Sequence, residues 1–326
     1  MSPQLKLNES PPIADIRKKL IRQFGPWTAH NIHLGDGIYT IDENAPGQVD
    51  ILRRLMQVIA DVSHRPLKEL RVLDLACLEG LYGIELALQG AKVVGIEGRE
   101  ANIEKGRFVK QVLNLTSLEL IQEDVRHISI EKYGQFDVIL CAGILYHLDA
   151  PDVFDFVERI FEMSTDFAVF DTHVSIAAKQ VQFYRNSKYS GRFVAEHGSN
   201  SSPDEKAKHL WSSLHNVKSF WFTKPSLLNF LAHTGFTSVY ECHNPSTIHD
   251  LADRVTLLAI KGKQKTSLLC SPLLNSRIEE DWPEKSMRRM HLAQRISLRR
   301  FLKAVVRSMP ASARGFLKRL LDISRS

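Results

Sequence analysis

The sequence has few cysteines and no long apolar run, and each absence excludes a class of protein. Four scattered cysteines, with no C-x-x-C pair, argue against a zinc site and favour free thiols in a reducing compartment. No apolar run reaches about 18 residues, so no transmembrane helix is expected. The polar opening MSPQLKLNESPP lacks the apolar region of a secretory signal. A cytoplasmic protein is therefore predicted.

Acidic residues are nearly absent from the end of the chain. Residues 285–326 contain 12 Lys and Arg against Asp322 alone, which leaves about −5 for the rest of a chain whose net charge is +6. The mildly acidic body argues against a nucleic acid partner, which would need a basic patch. Two amphipathic helices are predicted around Pro310, and their basic faces suit a membrane surface or an acidic partner. The alternative is a pair of helices docked on the main domain with solvated charges.

The middle of the chain alternates between strand-like and helical patterns. Helical spacing at 80–89, 100–113 and 152–163 separates short apolar runs, and two further strands are predicted at 237–242 and 254–262. Strands alternating with helices predict an α/β fold with a doubly wound, mostly parallel sheet of seven strands. The five earlier apolar runs are 71–76, 92–97, 118–122, 136–142 and 166–171.

The first apolar run continues into a turn, VLDLACLEG at residues 72–80, that keeps only one glycine. A dinucleotide fold puts glycines here so that a pyrophosphate can lie on the helix N-terminus. A carboxylate at Asp74 would repel phosphate but suits a ligand with an amino group and a sulfonium. Acids also follow the second and third runs, at Glu97 and Asp124. Three acids at neighbouring strand ends indicate an S-adenosylmethionine site.

Six motifs carry a family resemblance: VLDLACLEG, VVGIE, QEDV, FDVILCAGILYHLDAP, FTKPSLLNFLAHTGF and RVTLLAIKG. Over residues 70–262 the chain resembles class I S-adenosylmethionine-dependent methyltransferases. It is similar to the branch that contains the tRNA uridine-34 carboxymethyl (cmo5U34) synthases and uncharacterised relatives. The resemblance implies a Rossmann-like methyltransferase fold.

Four regions are predicted on this basis. Residues 1–66 would form helices and a hairpin that cap the cofactor site, and 67–263 the methyltransferase domain. Within that domain, 174–222 is a polar, aromatic-dotted lid or acceptor insertion, because it is too long for a simple connection. Residues 264–326 would form a linker and the basic amphipathic helices.

The resemblance also implies the cofactor contacts. The loop after the first strand would hold the methionine part, Glu97 the ribose hydroxyls and Asp124 the adenine edge. Within the loop, we expect Ala76 and Gly80 to lie close to the cofactor and Leu78 to turn away into the packing. Tyr39 would close over the site or, alternatively, pack within the hairpin. The predicted cofactor-binding residues are Asp74, Leu75, Ala76, Gly80, Glu97, Asp124, Val125, Gly143 and Tyr39.

Candidate catalytic residues also follow strand ends. A hydroxyl acceptor needs a base, and His147, His173 and Asp171 are candidates because they lie where the cofactor binds. Tyr146 matches a tyrosine facing the reactive end in the carboxymethyl enzymes. His147 could instead cap the next helix. His30 and His33 are not expected to share a metal ion, so no metal is predicted.

Two residues are predicted to bind the acceptor or a modified cofactor. Arg254 matches an arginine of the carboxymethyl enzymes, and Trp221 could line an acceptor pocket or belong to the insertion's own core. The same alternatives apply to Trp211, Tyr184 and Tyr189. Those enzymes also have a lysine before a Gly-Pro-aromatic step, where this chain has Phe24. Ordinary S-adenosylmethionine is therefore favoured.

The leading hypothesis is a methyltransferase acting on a small molecule or a lipid-linked acceptor. The first alternative is a tRNA wobble-uridine modifying enzyme of the related branch. The second is a non-catalytic methyltransferase fold that binds a partner through the basic tail, a hypothesis motivated by the missing glycines.

Overall fold

A computed structural model describes residues 12–245 and 253–262. Eight α-helices lie in this part of the chain: α1 Ile13–Phe24, α2 Val49–Val62, α3 Leu81–Leu88, α4 Glu100–Val112, α5 Ile130–Tyr133, α6 Asp152–Met163, α7 Pro203–Lys208 and α8 Lys224–Thr234. Twelve strands lie in the same part: β1 His33–Gly35, β2 Ile38–Tyr39, β3 Arg71–Leu75, β4 Lys92–Glu97, β5 Leu118–Gln122, β6 Phe136–Ala142, β7 Ser164–His173, β8 Gln180–Tyr184, β9 Ser187–Ala195, β10 Lys218–Phe222, β11 Ser238–Glu241 and β12 Arg254–Ile260.

Seven of these strands form one sheet in the order β11-β12-β7-β6-β3-β4-β5. The strands from β7 to β5 in this order are parallel, and β12 is antiparallel to both β7 and β11. The chain runs outward from β3 in both directions, so the sheet is doubly wound. This confirms the predicted Rossmann-like fold with a mostly parallel sheet of seven strands.

Helices cover both faces of the sheet, and this explains the continuous apolar runs. Side chains alternate between the faces along each strand. In β3, Leu73 and Leu75 belong to one buried cluster together with α6 and α8. Val72 belongs to the other cluster, together with α2, α3 and α4. This alternation later decides where Asp74 points.

The N-terminal part contains α1, a hairpin and α2. The strands β1 and β2 pair antiparallel around Gly35-Asp36-Gly37. All three turn residues have positive φ, at 98°, 49° and 70°, which glycine and aspartate tolerate better than most residues. The hairpin expected from this motif is therefore present.

The predicted insertion, 174–222, contains a second sheet. Its three antiparallel strands follow the order β10-β9-β8. Tyr184 stacks on Phe154 of α6, with ring centroids 4.7 Å apart, and Tyr189 also contacts Phe154. Of the two proposed roles for these tyrosines, packing is the one that the structure shows.

Other predicted features lie outside the described residues. The basic tail falls in 263–326, and part of the connection before β12 falls in 246–252. Across 12–245 and 253–262, no helix is both long and apolar enough to cross a membrane. The four predicted domain boundaries stay a prediction.

Candidate active site

A cleft lies at the carboxyl ends of the parallel strands, where ligands bind in doubly wound sheets. It brings together residues that are far apart in sequence. Eight of the predicted site residues line it: Ala76, Glu97, Asp124, Val125, Gly143, Tyr146, His147 and Arg254.

The loop between β3 and α3 keeps a glycine-like backbone without the glycines. Ala76 and Leu78 have φ of 51° and 52°, in the left-handed region. Leu78 lines the cleft, so the expectation that it turns away is wrong. Gly80 is the left-handed N-cap of α3, and a Cβ there would meet Ile84 Cδ1 at 3.3 Å. Gly80 thus packs against the helix and is not among the cleft-lining residues, contrary to expectation.

Asp74 lies beneath this loop. It shares a face of β3 with Val72, so its side chain points toward α3, and its Oδ2 accepts the Gly83 N–H at 3.0 Å. Burial raises the pKa of Asp74 to about 7; the Gly83 N–H opposes this shift and Glu97 adds to it. The structure shows a helix-capping contact for Asp74, and its contact with a cofactor stays a prediction. Leu75, fully buried on the opposite face, also does not line the cleft.

Glu97 ends β4 on the wall of the cleft. Its carboxylate accepts the Leu78 N–H at 3.0 Å and the Arg99 N–H at 2.8 Å. Burial raises the pKa of Glu97, and these hydrogen bonds oppose the shift. The Asn102 amide donates to the same carboxylate at 3.4 Å. A carboxylate has about four acceptor positions, so about one remains for a ligand hydroxyl.

Asp124, after β5, is engaged by a neighbour. It accepts the Arg126 N–H at 2.9 Å and is also paired with the Arg126 guanidinium. Burial raises the pKa of Asp124, but the bonds from Arg126 outweigh it, so the pKa lies below its usual value. Asp124 and Val125 therefore present a fixed polar edge and an apolar side chain to the cleft.

The N-terminal segment supplies part of the cleft wall through residues that were not predicted to bind the cofactor. His30 and Gln48 line the cleft, as does Tyr82, whose hydroxyl donates to Gln48 Oε1 at 2.6 Å. Burial lowers the pKa of His30 to about 4, so this imidazole is neutral at pH 7. Tyr39 is not among the lining residues; its ring lies 4.8 Å from that of His33, within the hairpin.

Fully buried Glu79 anchors this segment. Its carboxylate accepts the backbone N–H groups of residues 28–30. Buried Lys105 lies 3.9 Å from Glu79 and donates to the Pro26 carbonyl at 2.6 Å. Glu79, which directly precedes Gly80, thus attaches the N-terminal segment to the loop.

The other end of the cleft is aromatic. The Tyr146 ring lies 4.3 Å from that of His147, 4.8 Å from that of His173 and 5.7 Å from that of Trp221. Tyr146 and His147 line the cleft, whereas His173 and Trp221, stacked 5.1 Å apart, lie behind Tyr146. The structure therefore brings all four side chains together, but only Tyr146 and His147 line the cleft.

His147 is paired with a carboxylate from the insertion. Its Nδ1 lies 3.0 Å from Glu196 Oε2. Burial raises the pKa of Glu196, but the His147 contact and other hydrogen bonds lower it to below its usual value. Glu196 therefore stays ionised and can hold a proton on Nδ1, which leaves Nε2 as the basic nitrogen.

Asp171, one of the candidate bases, is already engaged by two neighbouring side chains. Arg254 Nε donates to Asp171 Oδ1 at 2.7 Å, and Thr256 Oγ1 donates to Oδ2 at 2.6 Å. The register of β12 against β7 places Arg254 opposite His173 and Thr256 opposite Asp171. Arg254 therefore reaches the cleft with its charge largely compensated.

No group of three His, Cys, Asp or Glu in the described part of the chain is arranged to hold a metal ion. His30 Nδ1 accepts the Leu81 N–H at 3.2 Å, and His33 contacts Tyr39. The two histidines thus have separate partners.

Comparison with known proteins places this chain in a family. A family model described as "Methyltransferase domain" matches residues 66–231. The ubiquinone biosynthesis O-methyltransferase of Acinetobacter baumannii (strain AYE) is 35% identical over 81 residues, which are 25% of this chain and 34% of that protein. The one from Roseobacter denitrificans (strain ATCC 33942 / OCh 114) is 36% identical over 93 residues, 27% of this chain and 35% of that protein. The chain spans about a third of the length of these curated relatives.

Solved structures show the same architecture. The N-terminal domain of EvdMO1 with SAH bound has a TM-score of 0.60 at 22% identity and covers 78% of this chain and 99% of that one. The same domain in the presence of SAH and D-fucose has a TM-score of 0.58 at 23% identity and covers 76% and 96%. At this level of identity the likeness supports the fold.

Proposed function

The chain belongs to the methyltransferase-domain family, and from this premise we propose that it transfers a methyl group from S-adenosylmethionine to a hydroxyl of a small molecule. The observation that carries the proposal is the His147–Glu196 pair at the same cleft that Glu97 lines. The hydroxyl acceptor is also in line with the O-methyltransferases among the relatives. The alternative of a lipid-linked acceptor rests on the basic tail, which lies outside the described residues.

The cleft suits this cofactor chemically. The Glu97 carboxylate keeps about one acceptor position for a ribose hydroxyl, the contact that an acid at this strand end makes with a nucleoside cofactor. When bound, S-adenosylmethionine supplies an activated methyl group on a sulfonium. Arg254 is already paired with Asp171, which favours the ordinary cofactor over a carboxylated one.

His147 then has one task. The acceptor hydroxyl must lose its proton as its oxygen attacks the methyl group, and Nε2 of His147 takes that proton. Glu196 keeps the ring oriented and stabilises the imidazolium that forms, as a carboxylate does for a histidine base in general. Tyr146 packs against the His147 ring and limits its rotation.

The narrower resemblance to the carboxymethyl branch stays a prediction. No observation on the described residues specifically favours a tRNA-modifying enzyme or a non-catalytic module. A Leu78 side chain that filled the cleft would favour a non-catalytic fold, but the Glu97 carboxylate remains at the cleft surface beside it.

Binding of S-adenosylhomocysteine, measured by calorimetry, tests the cofactor site. We expect Glu97→Ala to weaken binding by at least tenfold because the hydrogen bond from a ribose hydroxyl to the carboxylate is lost, at about 1.5–3 kcal/mol. Glu119→Ala, an exposed acid on the neighbouring strand, is the matched control and should bind like the wild type. Binding of NAD but not of S-adenosylhomocysteine would overturn the proposal.

Transfer of labelled methyl groups into fractionated small-molecule extracts tests the reaction. We expect His147→Asn to reduce transfer by about 100-fold or more, the usual contribution of a general base. His127→Asn, an exposed histidine, should leave transfer unchanged. Label that enters RNA and no small-molecule fraction would favour the tRNA alternative.

A further inference from the structure

One segment of the insertion lies across the candidate cofactor site. We call residues 207–216, which run from the last residues of α7 toward β10, the lid segment. Trp211 in this segment is 65% exposed although it faces the cleft. The lid residues that line the cleft are Leu210, Trp211, Ser212, Ser213, Leu214, His215 and Asn216.

A single arginine beside the cofactor site holds this segment. Arg99 donates its backbone N–H to Glu97 Oε1 at 2.8 Å. Its guanidinium donates to four backbone carbonyls of the lid segment: Ala207 at 3.4 Å, His209 at 2.9 Å, Ser212 at 2.9 Å and Ser213 at 3.3 Å. Only the fork of an arginine can bond so many carbonyls at once.

Close packing accompanies these bonds. A Cβ on Gly98, between Glu97 and Arg99, would lie 2.7 Å from Leu214 Cδ2. A Cβ there would have to displace only the end of the flexible Leu214 side chain, so the contact shows that the lid segment packs closely on the turn after Glu97.

The lid segment also contacts the catalytic pair. The Ser213 N–H donates to Glu196 Oε2 at 2.7 Å, and the same carboxylate pairs with His147. Asn216 Nδ2 donates to the His147 carbonyl at 2.9 Å. One segment therefore contacts both the Arg99 guanidinium and the residues that orient the base.

We propose that Arg99 is a positioning residue that couples cofactor binding at Glu97 to the seating of the lid segment and thereby to the orientation of the Glu196–His147 pair. A ligand held by Glu97 lies beneath the lid segment and adds contacts to it. Loss of Arg99 removes four hydrogen bonds from the lid segment. The Ser213 carbonyl keeps His197 Nε2, at 2.7 Å, and the His209 carbonyl keeps the Ser212 N–H, at 3.1 Å, so Ser213 is held less firmly against Glu196. The inference rests on the proposed function for its turnover measurement, whereas its binding measurement does not.

Trp211 supplies the direct test. Titration with S-adenosylhomocysteine should change the fluorescence of the wild type, and Trp211→Phe should remove that change while leaving a calorimetric binding signal. In Arg99→Ala we expect the fluorescence change to disappear and the dissociation constant to rise by tenfold or more. The control is Arg107→Ala, which should behave like the wild type. Arg107 lies on α4, the helix that begins directly after Arg99, and it bonds Glu104 and the Leu120 carbonyl.

Measurements of turnover and of hydrogen exchange distinguish a positioning role of Arg99 from a general loss of folded structure. Arg99→Lys keeps the charge but not the fork, so we expect an intermediate effect even if Arg99→Ala folds poorly. Both variants should lower kcat and shift its pH profile in the same direction as Glu196→Gln. Hydrogen exchange of residues 207–216 without ligand should rise in both variants and not in Arg107→Ala.

The outcomes distinguish the two proposals. Wild-type binding, fluorescence and exchange in Arg99→Ala would overturn the coupling and leave the proposed function standing. Altered lid exchange and binding in Arg99→Ala, with no methyl transfer by the wild type, would uphold the coupling and overturn the reaction.

Discussion

The buried pair of Glu79 and Lys105 should be a main source of stability for the N-terminal segment. Both side chains are fully buried, with Lys105 Nζ 3.9 Å from Glu79 Oε1. The carboxylate accepts the N–H groups of residues 28–30, and the ammonium donates to the Pro26 carbonyl. We therefore expect Glu79→Gln to destabilise the fold strongly.

The magnitude follows from the charge left behind. Removing one partner of a buried ion pair costs about 3–5 kcal/mol because the other charge stays desolvated. Glutamine keeps one acceptor oxygen for residues 28–30, so we expect the lower end, about 3 kcal/mol. Lys105→Met on the Glu79→Gln background removes the uncompensated ammonium, and the two effects should couple by roughly 2 kcal/mol.

Urea denaturation of the wild type, the two single variants and the double variant completes the cycle. The control is Glu104→Gln, which breaks a surface pair with Arg107 and should cost less than about 0.5 kcal/mol. A loss below about 1 kcal/mol for Glu79→Gln, or strictly additive costs, would refute the reasoning. It would mean that water or a rearrangement solvates the pair.

Three further predictions test individual site residues. Leu78→Phe should weaken S-adenosylhomocysteine binding by roughly tenfold in calorimetry, since overpacking costs about 1–3 kcal/mol. Gly80→Ala should instead lower the free energy of unfolding by about 1–2 kcal/mol, because φ at Gly80 is 87°. A loss of binding in Gly80→Ala and a loss of stability in Leu78→Phe would contradict the observed placement of the two residues. Burial raises the pKa of the Asp74 carboxyl from 3.8 to about 7, so between these pH values the folded state holds a proton that the unfolded state has lost, and the protein loses stability as pH rises. In urea denaturation between pH 4 and 7, the free energy of unfolding of Asp74→Asn should therefore increase relative to that of the wild type by up to about 1.4 kcal/mol per pH unit. A difference that does not change with pH would exclude the shift. Glu196→Gln should lower kcat by about 100-fold with little change in KM, because His147 loses the carboxylate that stabilises its imidazolium, and an unchanged kcat would remove His147 as the base.

Most of the fold could be predicted because its determinants are local. The strands β3 to β7 are continuous apolar runs, and that pattern arises when both faces of a sheet are covered. The Gly35-Asp36-Gly37 turn also follows from local chemistry, since positive φ is tolerated there. These features depend on neighbours within a few positions in the chain.

Half of the candidate site followed from the rule that ligands bind at the carboxyl ends of parallel strands. Glu97, Asp124 and Gly143 line the cleft because they follow β4, β5 and β6. Asp74 differs because it lies within β3 and not after it. Its alternation with Leu73 and Leu75 sends the carboxylate under α3, and that alternation is visible in the sequence.

The remaining residues belong to contacts between distant segments. Glu79 meets residues 28–30 about fifty positions away, Glu196 meets His147 from the second sheet, and Arg99 meets the lid segment more than a hundred positions later. Glu79 and His147 lie within quoted motifs, but no motif or periodic pattern indicates which distant residue each of these side chains contacts. Their roles depend on how the insertion and the N-terminal segment fold back over the cleft.

The sequence by itself determined the α/β class with a mostly parallel sheet of seven strands and the acids at the ends of β4 and β5, because hydrophobic periodicity acts over a few residues. Only the tertiary structure decided that Leu78 faces the cleft, that Gly80 supports α3, that Arg254 is already paired with Asp171 and that Glu196 orients His147. Each of these depends on a backbone conformation or a partner set by packing between elements, and such contacts leave no regular spacing in the chain.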